Sequence, residues 1–116
     1  MSIDRSKAER LRARLEEELA DAVRRHADLE AEHARFVAAS RDSNADDEHD
    51  PEGATIAFER AQVETLLRQV EVRRAQVAEA LERLARGEYG VCRRCRRPID
   101  VERLLVRPSA TTCVRC

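Results

Sequence analysis

The chain carries two long segments in which apolar residues recur with the spacing of a coiled-coil seam. In the first, about residues 4–40, the seam positions are separated alternately by four and three residues: Leu15, Leu19, Ala22, His26, Leu29, His33 and Phe36. In the second, about residues 51–86, they recur every seven residues: Ile56, Val63, Val70, Val77 and Leu84. A seam of this period lies along one side of a helix and is buried against a partner helix. Each segment therefore predicts a long helix that can serve as the partner of the other.

The two predicted helices are joined by a short polar connection, Ser40 to Asp50, which is rich in turn-forming residues. Asp50 is placed to cap the second helix with Pro51 at its first position, and Gly87 can end that helix in a left-handed conformation. Each helix would contain about 36 residues and extend roughly 50 Å, at about 1.5 Å per residue. Equal lengths and a short link predict an all-α fold, a long antiparallel coiled-coil hairpin over residues 1–86 with an acidic tip at about 41–54.

The composition supports this prediction and narrows the classes of function. Of the 116 residues, 39% are charged and 3% are aromatic, which disfavours broad sheets and a thick aromatic core. A chain of this length and composition does not predict a large active-site scaffold, so we expect no enzyme. The formal net charge of −1 gives no overall attraction to nucleic acid or to an anionic membrane.

The sequence also bears on where the protein is found. No stretch has the length and apolarity of a membrane span, and acidic residues stand where a signal peptide would have its apolar core. We therefore expect a cytoplasmic protein without membrane contact, in a compartment that keeps thiols reduced. Under those conditions four closely spaced cysteines indicate a metal site rather than two disulfides.

All four cysteines lie between residues 87 and 116, in two C-x-x-C pairs with seventeen residues between them: Cys92, Cys95, Cys113 and Cys116. This spacing predicts a four-cysteine zinc finger, in which each pair forms a knuckle with both thiolates on one side. Four protein ligands leave no open coordination position, so the predicted cofactor is one structural Zn²⁺. The alternative, a redox dithiol, needs a single C-x-x-C and leaves the second pair unexplained.

The predicted finger, residues 87–116, has few apolar residues of its own. Zinc binding contributes about 10–16 kcal/mol of apparent free energy in zinc-finger peptides, far more than so small a core could supply. We therefore expect a strong chelator to open this end of the chain while the hairpin keeps most of its helicity.

The finger carries a distinctive pattern besides its cysteines: Tyr89, Gly90, Ile99, Arg103, Leu104, Pro108 and Ala110. In this register Glu88 to Cys116 closely resembles the zinc finger of the DksA/TraR family of bacterial RNA polymerase regulators. One departure is Arg96, because the family usually has glycine after the second cysteine. The resemblance implies a coiled-coil hairpin that enters the secondary channel of RNA polymerase and modulates promoter complexes. It also implies that no specific DNA sequence is bound.

The resemblance extends to the tip of the hairpin, where the best-known members carry two aspartates and an alanine. Asp50, Glu52 and Ala54 stand in the corresponding stretch, with the second acid one residue short of the family spacing, and Asp46 and Asp47 add charge nearby. Long members continue past the last cysteine into a helix that carries part of the surface for guanosine tetraphosphate. This sequence stops at Cys116, so shorter members of TraR type, which act without that helix, are the better analogy.

The finger is strongly basic, with eight arginines against three acidic residues between positions 86 and 116. Four of these arginines surround Cys95 and are predicted to face acidic surface of the polymerase: Arg93, Arg94, Arg96 and Arg97. One alternative is a zinc ribbon that grips nucleic-acid phosphates, although no recognition helix follows the ligands and no aromatic residues are interleaved for stacking. Another alternative is a purely structural coiled-coil adaptor.

Two histidines, His26 and His33, lie one heptad apart on the first seam. One interpretation is a second metal site or a pH switch, but such residues are more often polar seam positions satisfied by groups of the partner helix or by water. We adopt that interpretation, because no further ligands repeat on the facing helix. The short connection favours pairing within one chain, so we expect a monomer.

Overall fold

The structure is a computed structural model that describes residues 4–42 and 51–116. It contains the helices α1 (Arg5–Asp42), α2 (Pro51–Ala85) and α3 (Val101–Val106). Within the described ranges there is no strand, and a single isolated bridge joins Val91 to Pro98. The prediction of an all-α fold with two long helices is confirmed, and the helix bounds agree with the sequence pattern to within two residues. No helix in the described part of the chain is long and apolar enough to cross a membrane.

Helix α2 ends as the sequence predicts, at a glycine in the left-handed region. Gly87 has a φ of +74° and donates its backbone N–H to the carbonyl of Leu84 at 3.2 Å. The next amide, that of Glu88, donates to the carbonyl of Arg83 at 2.8 Å. These two bonds form a Schellman motif, which satisfies carbonyls at the helix end and turns the chain out of the helix axis. The predicted cap residue of the other end, Asp50, lies outside the described residues.

The chain divides into two compact units, one formed by Met1–Asp21 and Arg73–Cys116 and the other by Ala22–Val72. In the second unit, α1 and α2 bury a core made only of seam residues: Ala22, Leu29, Val63 and Val70. His26 of α1 lies opposite Glu71 of α2, and His33 lies opposite Glu64. A step of seven forward on α1 thus matches a step of seven backward on α2. The helices in this unit are therefore antiparallel, as predicted.

Both seam histidines contact carboxylates. The Nε2 atom of His26 is 3.3 Å from Glu71 on α2, and its Nδ1 atom is 3.3 Å from Glu30 on its own helix. The Nε2 atom of His33 is 3.4 Å from Glu64. The contacts of His26 agree with its interpretation as a polar seam residue satisfied largely from the partner helix. His33 Nε2 lies beside Glu64 but forms no hydrogen bond.

The core of the first unit joins residues of both long helices to residues of the finger. Its buried members come from α1, α2 and the segment that follows: Leu11, Leu15, Val77, Ala80, Tyr89, Cys92, Ile99 and Leu104. Apolar residues of the finger thus bury their surface against the ends of the long helices, where burial stabilises by roughly 25 cal/mol per Å² of apolar area. The finger gains from this packing a core that its own residues could not build.

Polar contacts of Arg14 reinforce this junction. Its Nε atom donates to the carbonyl oxygen of Leu105 in α3 at 3.4 Å, and its Nη2 atom lies 3.4 Å from Glu18. Glu18 is buried and also lies 3.5 Å from Arg73 of α2. A buried carboxylate needs compensating charge, and two guanidinium groups supply it here. One ion-pair cluster therefore connects α1 to α2, and Arg14 extends it to α3.

Candidate metal centre

The four cysteines converge at one place in the first unit. Their Sγ atoms all lie within 4.8 Å of one another, with 3.7 Å between Cys95 and Cys113 and 3.5 Å between Cys113 and Cys116. A tetrahedral zinc with Zn–S bonds near 2.3 Å places its sulfur atoms roughly 3.8 Å apart. The thiols are therefore spaced to hold one zinc ion, as the two C-x-x-C pairs predict. Among the described residues they are the one group of His, Cys, Asp or Glu side chains placed to hold a metal.

Backbone hydrogen bonds shape the first knuckle, which carries Cys92 and Cys95. The amide of Cys92 donates to the carbonyl of Arg97, and the amide of Arg96 donates back to the carbonyl of Cys92, both at 2.9 Å. The amide of Ile99 donates to the carbonyl of Gly90 at 2.8 Å and closes the wider turn. Cys92 is buried while Cys95 is exposed, so the knuckle presents one thiol from the core side and one from the solvent side.

The second knuckle, with Cys113 and Cys116, is tied to the first by the chain that precedes it. The amide of Arg93 donates to the carbonyl of Thr111 at 2.9 Å, and the Nε atom of Arg103 in α3 donates to the carbonyl of Thr112 at 3.0 Å. These two bonds fix the approach to Cys113 from both sides. Arg103 thus has a positioning role that its place in the sequence motif did not reveal.

Tyr89 anchors the same chain from the core. Its hydroxyl donates to the carbonyl oxygen of Pro108 at 2.7 Å, and its ring is buried beside Cys92 in the shared core. Burial raises the pKa of Tyr89 to about 12, so the phenol stays protonated and able to donate. Pro108 is fully buried as well. The spacing of tyrosine and proline in the motif thus allows the two residues to form one buried hydrogen bond.

Hydrogen bonds around the metal centre shift the pKa values of three of the four thiols. Backbone amides, first that of Cys95, donate to the sulfur of Cys92 and lower its pKa to about 6. The hydrogen bond between Cys113 and Cys116 lowers the pKa of Cys113 and raises that of Cys116 to about 12. Four thiolates this close repel one another, so all four can ionise together only around a metal cation.

Arg96 occupies the left-handed region of backbone conformation, with a φ of +63°. This position follows the second cysteine and closes the first knuckle, which explains why glycine suits it. A side chain costs about 1–2 kcal/mol in this region, and replacing it by glycine removes that cost. Part of the stabilisation is lost again, because glycine has greater conformational freedom in the unfolded chain. We predict that Arg96→Gly stabilises the zinc-loaded protein by about 0.5–1 kcal/mol.

Chemical denaturation of the zinc-loaded protein measures this effect. Arg94→Gly is the matched control, because it removes an equally exposed arginine from the same knuckle at a position without a positive φ. The control should be neutral or destabilising. Equal changes in both variants would show that the backbone conformation of Arg96 carries no strain.

The predicted tip residues fall largely outside the described residues. Asp46, Asp47 and Asp50 lie there, whereas Glu52 and Ala54 belong to the beginning of α2. Ala54 is exposed. The role assigned to these residues remains a prediction.

All four predicted finger arginines are exposed, but two already have partners within the chain. Arg93 forms an ion pair with Glu79 of α2, and Arg94 donates to the carbonyl oxygen of Cys116 at 3.2 Å. Arg96 and Arg97 line two different clefts. Their predicted contacts with a polymerase remain predictions.

The fold and the metal centre define a C4-type zinc finger packed on paired helices, and the comparisons with known proteins agree. The family model of the prokaryotic dksA/traR C4-type zinc finger matches residues 87–116. The structure is also similar, with a TM-score of 0.63, to the solved structure of transcription factor DksA2 from Pseudomonas aeruginosa. The two sequences are 31% identical, and the match covers 97% of this chain and 81% of that one. The chain therefore belongs to the DksA/TraR family. None of the curated proteins compared with it matches.

Proposed function

We propose that this protein is a bacterial transcription regulator that binds RNA polymerase and inserts the tip of its coiled coil into the secondary channel. The observation that carries the proposal is the membership of the DksA/TraR family, with a similarity to transcription factor DksA2 that spans nearly the whole chain. The regulator changes the behaviour of promoter complexes and performs no reaction of its own.

The proposal assigns different tasks to two parts of the chain. Residues 1–86 form the hairpin that reaches into the polymerase, and residues 87–116 form the finger that holds its base against the enzyme. The zinc is structural, because four thiolates complete its coordination and leave no position for a substrate. The finger arginines contribute to docking by attraction to acidic surface of the polymerase.

Binding to purified core polymerase tests the proposal, measured beside a salt-titrated assay on random duplex DNA. A regulator of this kind should copurify with the core enzyme and bind free DNA weakly. A nucleic-acid-binding ribbon would give the opposite result, namely strong DNA binding that falls steeply as the salt concentration rises.

The acidic tip gives a prediction about transcription. Neutralising four of its six acids should reduce the effect on promoter complexes and leave polymerase binding mostly intact, because the tip acts electrostatically on the channel while the finger anchors the protein. The variant combines these substitutions: Asp46→Asn, Asp47→Asn, Asp50→Asn and Glu52→Gln. Transcription from a responsive promoter and affinity for core polymerase are measured on the same preparations.

A matched control removes the same charge from exposed acids elsewhere: Glu9→Gln, Asp28→Asn, Glu82→Gln and Glu102→Gln. This control should affect transcription much less than the tip variant. If both variants lose binding and transcriptional effect in equal measure, the acids act through overall charge and the assigned division of tasks is wrong.

A further inference from the structure

A basic groove lies beside the first knuckle, within the first unit. Its cavity of about 380 Å³ is lined by four arginines, two glutamates and one valine: Arg83, Arg86, Arg93, Arg96, Glu79, Glu88 and Val91. The two glutamates are already engaged, Glu79 with Arg93 and Glu88 with Arg86 at 3.6 Å. The lining therefore retains two positive charges in excess, in a cavity within the size range of small-ligand sites.

Arg83 lines this groove and is itself buried, with 7% of its surface exposed. Its Nε atom has no hydrogen-bond partner, a property that among the described residues it shares only with His33 Nε2. An unsatisfied buried donor on a charged group is costly, since such groups are paired in nearly all folded proteins. Arg83 also lines the groove, so an anion bound there would bring an acceptor close to its guanidinium.

The electrostatic surroundings of Arg83 also favour a bound anion. Burial, and then the positive charge of Arg93, lower the pKa of its guanidinium. Two arginines thus converge on one cavity although their charges repel. A bound anion would replace the repulsion by charge-assisted hydrogen bonds.

Arg96, which also lines the groove, provides an independent observation. Its backbone holds a φ of +63°, where glycine would cost less. Strained backbone positions occupied by a large side chain cluster at ligand sites, because the side chain is needed where it stands. Here the strain places a guanidinium at the groove.

We propose that this groove is a binding site for a single phosphate group, free or as the end of a small phosphorylated molecule, held by Arg83, Arg93 and Arg96. A phosphate dianion matches the two excess positive charges, and its oxygens accept the planar, forked donors of arginine. The site is complete within the isolated chain, so phosphate binding can be measured without polymerase. It shares Arg93 and Arg96 with the arginines proposed to dock on the polymerase.

Titration calorimetry of the zinc-loaded protein with inorganic phosphate, and separately with the monoester phenyl phosphate, tests the proposal. We expect saturable binding of one phosphate per chain. Arg96→Gly should weaken it about tenfold, the loss that corresponds to one hydrogen bond from a charged donor. Because this substitution is also expected to stabilise the fold, a loss of affinity could not be attributed to unfolding.

The control is Arg94→Gly, which removes the same charge from the same knuckle at a residue that does not line the groove. It should change the affinity by less than about twofold. Tighter binding of inorganic phosphate would indicate a site for the free anion, and tighter binding of phenyl phosphate a site for a phosphorylated molecule. Either result supports the proposed phosphate site. Absence of saturable binding, or equal weakening by Arg94→Gly and Arg96→Gly, would show that these arginines merely offset the charge of the zinc–thiolate centre and would overturn the proposal.

Discussion

Replacing Cys113 with serine should abolish stoichiometric zinc binding and open residues 87–116 to protease. The hydroxyl is a much poorer ligand than the thiolate that it replaces, and three remaining thiolates leave the tetrahedron incomplete. Without the cation the four cysteines cannot all stay ionised, and no ion holds their sulfur atoms together. The loss should extend beyond the finger, because Cys92 and Tyr89 lie in one core with Leu11 and Leu15 of α1.

Hydrogen exchange monitored along the chain measures the extent of this loss. We expect faster exchange in residues 87–116 and in the parts of α1 and α2 that belong to the first unit. The seam residues of the second unit should remain protected, because they form a separate core. The control is Val114→Ser, an exposed neighbour with 77% of its surface accessible, which should bind zinc normally. Retention of zinc and protease resistance by the Cys113 variant would contradict the assigned metal centre.

The substitution Leu104→Ala should destabilise the zinc-loaded protein by about 2–5 kcal/mol, the usual cost of replacing a buried leucine by alanine. Leu104 has no exposed surface and lies in the core shared by α3, α1 and α2. Its side chain is therefore part of the joint between the finger and the long helices. Denaturation by urea, followed by far-ultraviolet circular dichroism, reports the change in the free energy of unfolding.

Val106→Ala provides the control on the same short helix. Val106 is 75% exposed, and such surface substitutions usually change stability by less than about 0.5 kcal/mol. If both substitutions proved equally mild, zinc alone would hold the finger and the shared core would contribute little. That outcome would support the expectation from the sequence that the metal alone stabilises the finger.

The features that the sequence predicts well are those encoded by local spacing. The heptad seams of α1 and α2 require a helical partner, and the residues they predict to be inside, such as Leu15, Val70 and Val77, are buried. Gly87 ends α2 as expected, because only the left-handed region allows the chain to turn there without strain. The two C-x-x-C pairs likewise predict the converging thiols, since each pair fixes the direction of its own two side chains.

The features that the sequence does not reveal depend on contacts between distant residues. Helix α3 has six residues, too few to show a periodic pattern. The packing of Leu104 against Leu11 and Leu15 joins residues more than eighty positions apart, which no local signal encodes. The groove around Arg83 is similar, because it brings this arginine of α2 together with Arg93 and Arg96 of the finger.

The central claim, that the tip of the hairpin enters the secondary channel, is tested most directly by site-specific photo-crosslinking. A photoreactive amino acid at Ala54, which is exposed at the beginning of α2, probes the tip, and one at the exposed Val106 probes the finger. In the complex with core polymerase, the probe at Ala54 should attach to segments that line the channel near the catalytic centre, and the probe at Val106 to the outer surface of the enzyme. Attachment of the Ala54 probe only to DNA, or only to the outer surface, would contradict the claim.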